Sequence, residues 1–204
     1  MKIKSVLALT IFALSTQVNA AGVNLVVNGS FENPDIPTGS YNTYNSILGW
    51  TTSGAGVEIR DNVVGTAYDG DQFAELDSLS NSAIFQNVAN TVAGQSYLLS
   101  FAYSPRIDQL SLTNGISAYW NGVLVDSVTA DGGSSNNWTM FNYLVTGTGN
   151  DVLQFAAVGT DDSLGGNLDA VSVSAVPLPA AAFLFAPALL GFMGLRRKAK
   201  NTIA

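Results

Sequence analysis

Between its two termini the sequence predicts an all-β protein, a sandwich or barrel of short strands, and two observations carry this prediction. No run longer than about ten residues repeats with a helical period, whereas short β-rich runs separated by Gly, Asn, Asp and Ser recur along the chain. Asn121-Gly122 joins two of these runs. It favours a type I′ hairpin, because both central residues of that turn need a positive φ.

Ten strands are predicted, and their spacing without intervening helices is typical of a sandwich or barrel. They span residues 25–27, 57–60, 72–76, 83–88, 97–103, 116–120, 123–128, 138–145, 152–158 and 168–174. No internal repeat indicates a propeller. Trp50 follows a glycine before a β-rich segment, so we expect it in the core.

The N-terminus predicts a signal peptide over residues 1–20. Lys2 and Lys4 precede an apolar stretch over residues 6–14, and Val18-Asn19-Ala20 forms a small-residue cleavage site. The apolar stretch is too short to span a bilayer. The sequence therefore predicts export, with a mature chain that begins at Ala21.

The C-terminal residues 176–204 are built in three parts. Val176-Pro177-Leu178-Pro179 comes first, an apolar block over residues 180–195 follows, and a basic cluster begins at Arg196. An apolar helix of about 16 residues spans roughly 24 Å, a little short of a ~30 Å hydrocarbon core. We expect a marginal transmembrane helix whose basic end stays in the cytoplasm.

This order of parts resembles the PEP-CTERM sorting tail of Gram-negative bacteria, with Leu178 where the commoner form has Glu. The resemblance implies an exosortase-type enzyme that cleaves at the proline motif Val176, Pro177, Leu178 and Pro179. It also implies an inner-membrane intermediate, then release or re-anchoring at the cell surface, often beside exopolysaccharide or biofilm. The alternative is an ordinary C-terminal membrane anchor.

The charge of the body, residues 21–175, narrows the range of functions. Arg60 and Arg106 are its only basic residues, against 15 acidic ones, which gives 2 − 15 = −13. Such a domain repels phosphate backbones, so nucleic-acid binding is excluded. The chain has no Cys and no His, which excludes disulfides, Ser-His-Asp and Cys-His catalysis, and His-ligated zinc.

Several motifs in the body follow one another in the order of a known fold. They are Asn24 to Glu32 (NLVVNGSFE), Leu48-Gly49-Trp50, Tyr68 to Asp77 (YDGDQFAELD) and Leu168 to Val173 (LDAVSV). This set resembles the galactose-binding-like jelly roll of carbohydrate-binding modules and DUF642-type surface proteins. Ala170 departs from the pattern, because the last strand there usually carries a second Asp.

The resemblance implies a structural calcium that joins the turn after the first strand, the last strand and the Asp-Gly loop. Its side-chain ligands would be Glu32 and Asp169, with Asp69 or Asp71, and backbone carbonyls or water would complete the six to eight oxygens that calcium takes. The alternative is that Glu32 only caps a turn and Asp169 is solvated.

For a glycan ligand, exposed aromatic rings and a free cation are the first candidates. Trp120 lies beside the predicted hairpin turn and Trp138 follows a polar loop, so each is either core or a platform for a sugar ring. Arg106 either pairs with Asp108 or faces the ligand. Exposure of Trp120, Trp138 or Tyr119 would separate a binding module from a passive matrix or adhesion protein.

A glycan hydrolase is the third alternative. Glu75 and Asp77 alternate on one strand face roughly 6.5–7 Å apart, a spacing that suits an inverting glycosidase but arises on any strand with acids two residues apart. Without a second supporting feature, the sequence favours a non-catalytic module that binds polysaccharide outside the cell.

Overall fold

The computed structural model describes residues 22–177, which form twelve strands with no helix among them. The strands are β1 Ser40–Tyr44, β2 Ser46–Ile47, β3 Trp50–Ser53, β4 Val57–Asp61, β5 Gln72–Glu75, β6 Ala83–Val88, β7 Ser96–Ser104, β8 Gly115–Trp120, β9 Val123–Val128, β10 Thr139–Thr146, β11 Asp151–Val158 and β12 Asn167–Ala175. The described residues therefore contain no helix long and apolar enough to cross a membrane. The predicted signal peptide, the apolar C-terminal block, and Leu178 and Pro179 lie outside the described residues.

The strands form two six-stranded antiparallel sheets. Sheet A has the order β1-β4-β5-β12-β7-β10, and sheet B has the order β2-β3-β6-β11-β8-β9. Neighbours in each sheet come from distant parts of the sequence, as in the pairing of β12 with both β5 and β7. Only β1, β2, β9 and β10 are edge strands among the described residues, so the centre of each sheet is fully paired.

The core lies between the sheets and is rich in aromatic rings. Phe31, Trp50, Phe155 and Phe101 form a continuous series, with ring centroids 5.8, 6.3 and 5.0 Å apart. Each of these four side chains is at most 2% exposed. Burial of one such ring stabilises the fold by about 1.5–3 kcal/mol, so this series makes a large contribution to holding the sheets together.

The structure confirms nine of the ten predicted strands within one or two residues at each end. The predicted hairpin is confirmed as well, because Asn121 and Gly122 have φ values of 52° and 77° and connect β8 to β9. Phe31 has no exposed surface and belongs to the core between the sheets.

The predicted strand 25–27 is wrong, since these residues belong to no strand. Leu25 N–H donates to Val173 O (2.8 Å), but the neighbouring backbone groups bond to side-chain amides instead of to backbone. Asn24 Oδ1 accepts from Val173 N–H (3.0 Å), and the Gln86 amide bonds both backbone groups of Val27 (2.7 and 2.9 Å). Side-chain amides therefore replace the regular ladder here.

Strands β1, β2 and β3 are absent from the sequence prediction. Strand β1 reads SYNTY, and its central three residues are exposed. An exposed edge strand buries no face, so it needs no alternation of apolar residues, and its Ser and Asn resemble a loop.

Candidate functional site

Glu32 closes the turn formed by residues 68–72. Its Oε1 accepts hydrogen bonds from the backbone N–H groups of Asp71 (2.9 Å) and Gln72 (2.8 Å). The turn needs glycine at Gly70, because φ is +77° and a Cβ there would collide with the Glu32 carboxylate. Glu32 therefore caps a turn, as the simpler interpretation of the sequence expects.

Asp169 holds the same turn from the last strand. Its Oδ2 accepts from the backbone N–H groups of Tyr68 (2.8 Å) and Asp69 (2.9 Å), and its Oδ1 accepts from Ala170 N–H (2.6 Å). The side chain is fully buried, so the expectation that Asp169 is solvated is wrong. Burial raises the pKa of its carboxyl to about 7, against the opposite effect of the amide donors.

The four predicted metal ligands do not form a ligand group in this arrangement. Within residues 22–177, no three or more Asp or Glu side chains are placed to hold a metal ion. The carboxylate oxygens of Glu32 and Asp169 already accept hydrogen bonds from backbone N–H groups, and such donors attract anions rather than cations. The side chains of Asp69 and Asp71 are exposed. These residues as placed do not fit a calcium ion, so calcium stays a prediction of the resemblance.

Arg106 pairs with Glu75, which neither expectation for this residue foresaw. Its Nη1 donates to both carboxylate oxygens of Glu75 at 3.0 Å and to Ser163 O at 3.3 Å. Arg60 contacts the same carboxylate through Nη2 and Glu58 through Nε. Both guanidinium groups are therefore engaged in one ion cluster, in which Glu75 is fully buried.

Strand register explains how this cluster forms on the outer face of sheet A. Glu58, Glu75, Asn167 and Ser104 occupy one row across β4, β5, β12 and β7. Residues directly opposite in neighbouring strands share a face, so the row brings polar side chains from four strands together. The two arginines balance carboxylates that the register places side by side.

The Glu75 and Asp77 pair has no opening toward a substrate. Both side chains are fully buried, and the oxygens of Glu75 accept from two guanidinium groups and from Gly165 N–H (2.6 Å). Burial raises the pKa of Glu75 to about 7, and the two arginines only partly offset it. The raised pKa suits a general acid, but a general acid must also reach the bond that it protonates.

Trp138 is half-buried on the outer face of sheet A. Its ring meets Phe73 and Tyr68 edge-on, with centroids 5.8 and 6.2 Å apart, and its Nε1 donates to Thr66 O (2.9 Å). The indole thus fixes the loop 62–71 on the sheet. It lies outside the central core, and its role as a platform for a sugar ring stays a prediction.

Trp120 belongs to the core, which settles the two alternatives for this ring. It is 6% exposed, and its Nε1 donates to Thr146 O (2.9 Å). Trp50 is 2% exposed and confirms its expected core position. Arg106 and Trp138 both contact the outer face of sheet A, whereas Trp120 faces the core, so the three residues do not converge on one site.

A groove runs between the edge strands β9 and β10. One part has a volume of about 570 Å³ and mostly apolar walls, which include Val123, Leu144 and the edge of Trp120. A second part, of about 360 Å³, lies beside Phe141 and carries more hydroxyl and amide groups. The larger part of the groove is concave, but its walls carry few free hydrogen-bonding groups.

The outer face of sheet B carries a different arrangement, which we name the sheet B platform. It consists of Thr51, Phe85, Gln154 and Tyr119, directly opposite one another on β3, β6, β11 and β8. The flanking residues Ile84, Phe155 and Ala118 are all in the core, so alternation directs the platform side chains outward. Phe85, Gln154 and Tyr119 are half-buried, and Thr51 is exposed.

The polar groups of the platform are free within the described part of the chain. Thr51, Gln154 and Tyr119 make no side-chain hydrogen bond to another residue between 22 and 177. The adjacent row is made of the small residues Ser53, Ala83, Ala156 and Ser117. Two half-buried aromatic rings with a free amide between them therefore lie on the outer face of sheet B.

Only part of the platform was within reach of sequence reasoning. The sequence offers Tyr119 as a candidate exposed ring, whereas no sequence motif marks Phe85, Gln154 or Thr51. The runs 83–88 and 152–158 were predicted as strands, and their alternation directs Phe85 and Gln154 to one face each. Their meeting depends on the order β3-β6-β11-β8, which no local pattern encodes.

Comparison with known proteins shows similarity over short parts of very long chains. No family model matches. The chain is 30% identical over 167 residues to a multifunctional-autoprocessing repeats-in-toxin protein of Vibrio vulnificus, which is 80% of this chain and 3% of that protein. A protein of the same description from Vibrio cholerae is 32% identical over 152 residues, 72% of this chain and again 3% of the relative. The chain therefore spans only a few per cent of the length of these relatives.

Solved structures establish the fold as a jelly-roll sandwich. TmCBM61, a carbohydrate-binding module solved in complex with β-1,4-galactotriose, matches with a TM-score of 0.51 and 17% identity over 75% of this chain and 99% of that one. The K1 cleaved adhesin domain of Lys-gingipain from Porphyromonas gingivalis matches with a TM-score of 0.51 and 13% identity over 68% of this chain and 98% of that one. The predicted fold class is confirmed.

Proposed function

We propose that this protein is exported and that its jelly roll binds polysaccharide without cleaving it. The observation that carries the proposal is the sheet B platform, where Phe85 and Tyr119 flank the free amide of Gln154. Aromatic rings pack on the apolar face of a pyranose, while amides and hydroxyls pair with its hydroxyl groups. The platform supplies both kinds of contact on one open face.

The structural likeness supports the same proposal. TmCBM61 was solved with β-1,4-galactotriose, which makes neutral β-linked polysaccharides the natural first probes for this chain. The buried state of Glu75 and Asp77 supports a role in binding rather than in hydrolysis, since neither carboxyl is open to a sugar.

We expect weak binding at each site. An open face desolvates only part of a sugar, so loss of one ring should cost about 1–3 kcal/mol of binding free energy. That cost corresponds to a roughly 5- to 150-fold loss of affinity.

The first experiment is a depletion assay with the purified protein and a panel of insoluble or immobilised polysaccharides, including β-1,4-galactan and β-1,4-glucan. Tyr119→Ala and Phe85→Ala should each weaken retention by roughly 5- to 150-fold, whereas Tyr41→Ala should not. Tyr41 is a matched control because it is an exposed tyrosine (59%) on β1 of the other sheet. Melting temperatures of all variants must stay close to that of the wild type.

The outcomes separate the alternative functions. Retention on no glycan would favour a passive matrix or adhesion protein. Release of reducing ends that Glu75→Gln abolishes would favour a hydrolase.

Export and processing form the second part of the proposal. Its support is the sequence, namely the signal-peptide pattern and the tail that begins at Val176-Pro177. Mass spectrometry of the exported protein should find a mature N-terminus at Ala21 and a chain that lacks the basic end beginning at Arg196. An exported chain that retains this end would contradict the sorting-tail interpretation.

A further inference from the structure

We infer that the sheet B platform selects an uncharged, linear polysaccharide and rejects acidic ones, an inference that rests on the proposed function. The described residues contain two basic side chains, Arg60 and Arg106, and no lysine or histidine. The side chains of both are largely buried, at 4% and 14% exposure, and both are paired with Glu75 on the outer face of sheet A. Neither guanidinium lies on sheet B.

Recognition of a uronate, sulfate or phosphate group needs a cation or a set of convergent N–H donors. The platform has neither, since its groups are two rings, one amide and two hydroxyls. A carboxylate bound there would lose water without gaining a charged partner, in a body whose formal charge is 2 − 15 = −13. Amide and hydroxyl groups do meet the needs of neutral sugar hydroxyls.

The geometry also indicates how the polymer lies. The platform runs across four neighbouring strands, which are about 4.8 Å apart, so Phe85 and Tyr119 stand roughly 9.6 Å from each other with Gln154 between them. One pyranose of an extended chain is about as long as one strand spacing. Three consecutive sugar units therefore match the ring, amide, ring order.

The test compares each neutral polysaccharide with its own C6-oxidised form, which changes primary hydroxyls to carboxylates on the same backbone. Affinity electrophoresis of the whole protein would use β-1,4-galactan and β-1,4-glucan, each before and after oxidation. We expect retardation by at least one neutral polymer and at least tenfold weaker retardation by its oxidised form. Trisaccharides should compete much better than disaccharides, with little further gain beyond four or five units.

The outcomes distinguish a failure of charge selection from a failure of polysaccharide binding itself. Equal or tighter binding of the oxidised polymer, lost in Tyr119→Ala, would overturn charge selection and leave the binding module intact. Retardation by neither form would overturn the proposed function together with this inference. Tyr41→Ala again serves as the matched control, because it leaves sheet B unchanged.

Discussion

Glu75 and Arg106 are joined by two hydrogen bonds of 3.0 Å from a single nitrogen, Nη1, and Arg60 holds the same carboxylate from the other side. Glu75 lies in the middle of sheet A and Arg106 follows β7, so the cluster ties the loops beyond β7 to the sheet. The chain thus uses both arginines of its body to hold the fold together.

We predict that Glu75→Ala lowers the free energy of unfolding by about 3–5 kcal/mol, because it leaves the guanidinium groups of Arg60 and Arg106 buried without their shared hydrogen-bond acceptor. Chemical denaturation of the variant and of the wild type measures this loss. Arg106→Ala should cost less than Glu75→Ala, because Arg60 still pairs with the carboxylate. A Glu75→Ala protein as stable as the wild type would contradict a structural role for the cluster.

A second prediction concerns pH. Burial raises the pKa of Glu75 from 4.5 to about 7, so folding favours its protonated form. Its stabilising contribution is therefore fully present below about pH 4.5 and is lost as the pH rises through about 7. The buried Asp169 carboxyl, also raised to about 7, acts in the same direction.

We therefore expect a higher melting temperature at pH 5 than at pH 8, and each of the two carboxyls contributes about 2–3 kcal/mol to the difference in the free energy of unfolding. Thermal melts across this range measure it, and Glu75→Gln should show a smaller difference. Asp151 titrates outside this window, because burial raises its pKa but hydrogen bonds from Asn121, Thr91 and Thr148 hold it at about 2. A melting temperature that rises toward pH 8 would contradict the raised pKa values of Glu75 and Asp169.

For Glu32 and Asp169, the family resemblance and the observed hydrogen bonds predict different effects of calcium on stability. The resemblance predicts a calcium ion, which at a hundredfold excess over its Kd would add about 2.7 kcal/mol to the stability. The observed amide caps predict instead that melts in calcium and in EDTA coincide, and that Glu32→Gln keeps most of the stability. If calcium raised the melting temperature by several degrees and Asp169→Asn removed this effect, the carboxylates would have to rearrange around a bound ion, and the amide-cap account would be contradicted.

The tryptophans give a fourth prediction. Trp120→Ala should lower the free energy of unfolding by about 3–5 kcal/mol, as expected for a buried ring. Trp138→Ala should cost less and should loosen mainly the loop 62–71, without loss of glycan retention. Hydrogen exchange would show this as faster exchange confined to that loop. Weaker glycan binding by a normally folded Trp138→Ala protein would restore the sequence-based assignment of Trp138 as a ligand platform.

Local patterns were enough to predict the fold class and most strands, because alternation and turn residues are local signals. The hairpin at Asn121-Gly122 is one example, since both residues take the positive φ that the dipeptide favours. Strand β1 escaped prediction because an exposed edge strand needs no apolar face. Residues 25–27 resemble a strand because they are apolar, but side-chain amides replace the regular ladder there, which no local pattern reveals.

The candidate site was harder to predict, because it depends on which strands are neighbours. Arg106 was expected to contact Asp108 or a ligand, and its partner Glu75 lies 31 residues away in sequence. Trp120 and Tyr119 are adjacent, yet one ring faces the core and the other faces solvent. Residue type favoured tryptophan as the platform, whereas the direction of each side chain selects Tyr119.

The most direct test of the sheet B platform is a nuclear magnetic resonance titration of the isotope-labelled protein with a trisaccharide of the neutral polysaccharide that it retains. Chemical shifts should change along β3, β6, β11 and β8, with the largest changes at Phe85, Gln154 and Tyr119. Shifts confined to the groove between β9 and β10, or to the turn 68–72, would contradict the platform as the binding face.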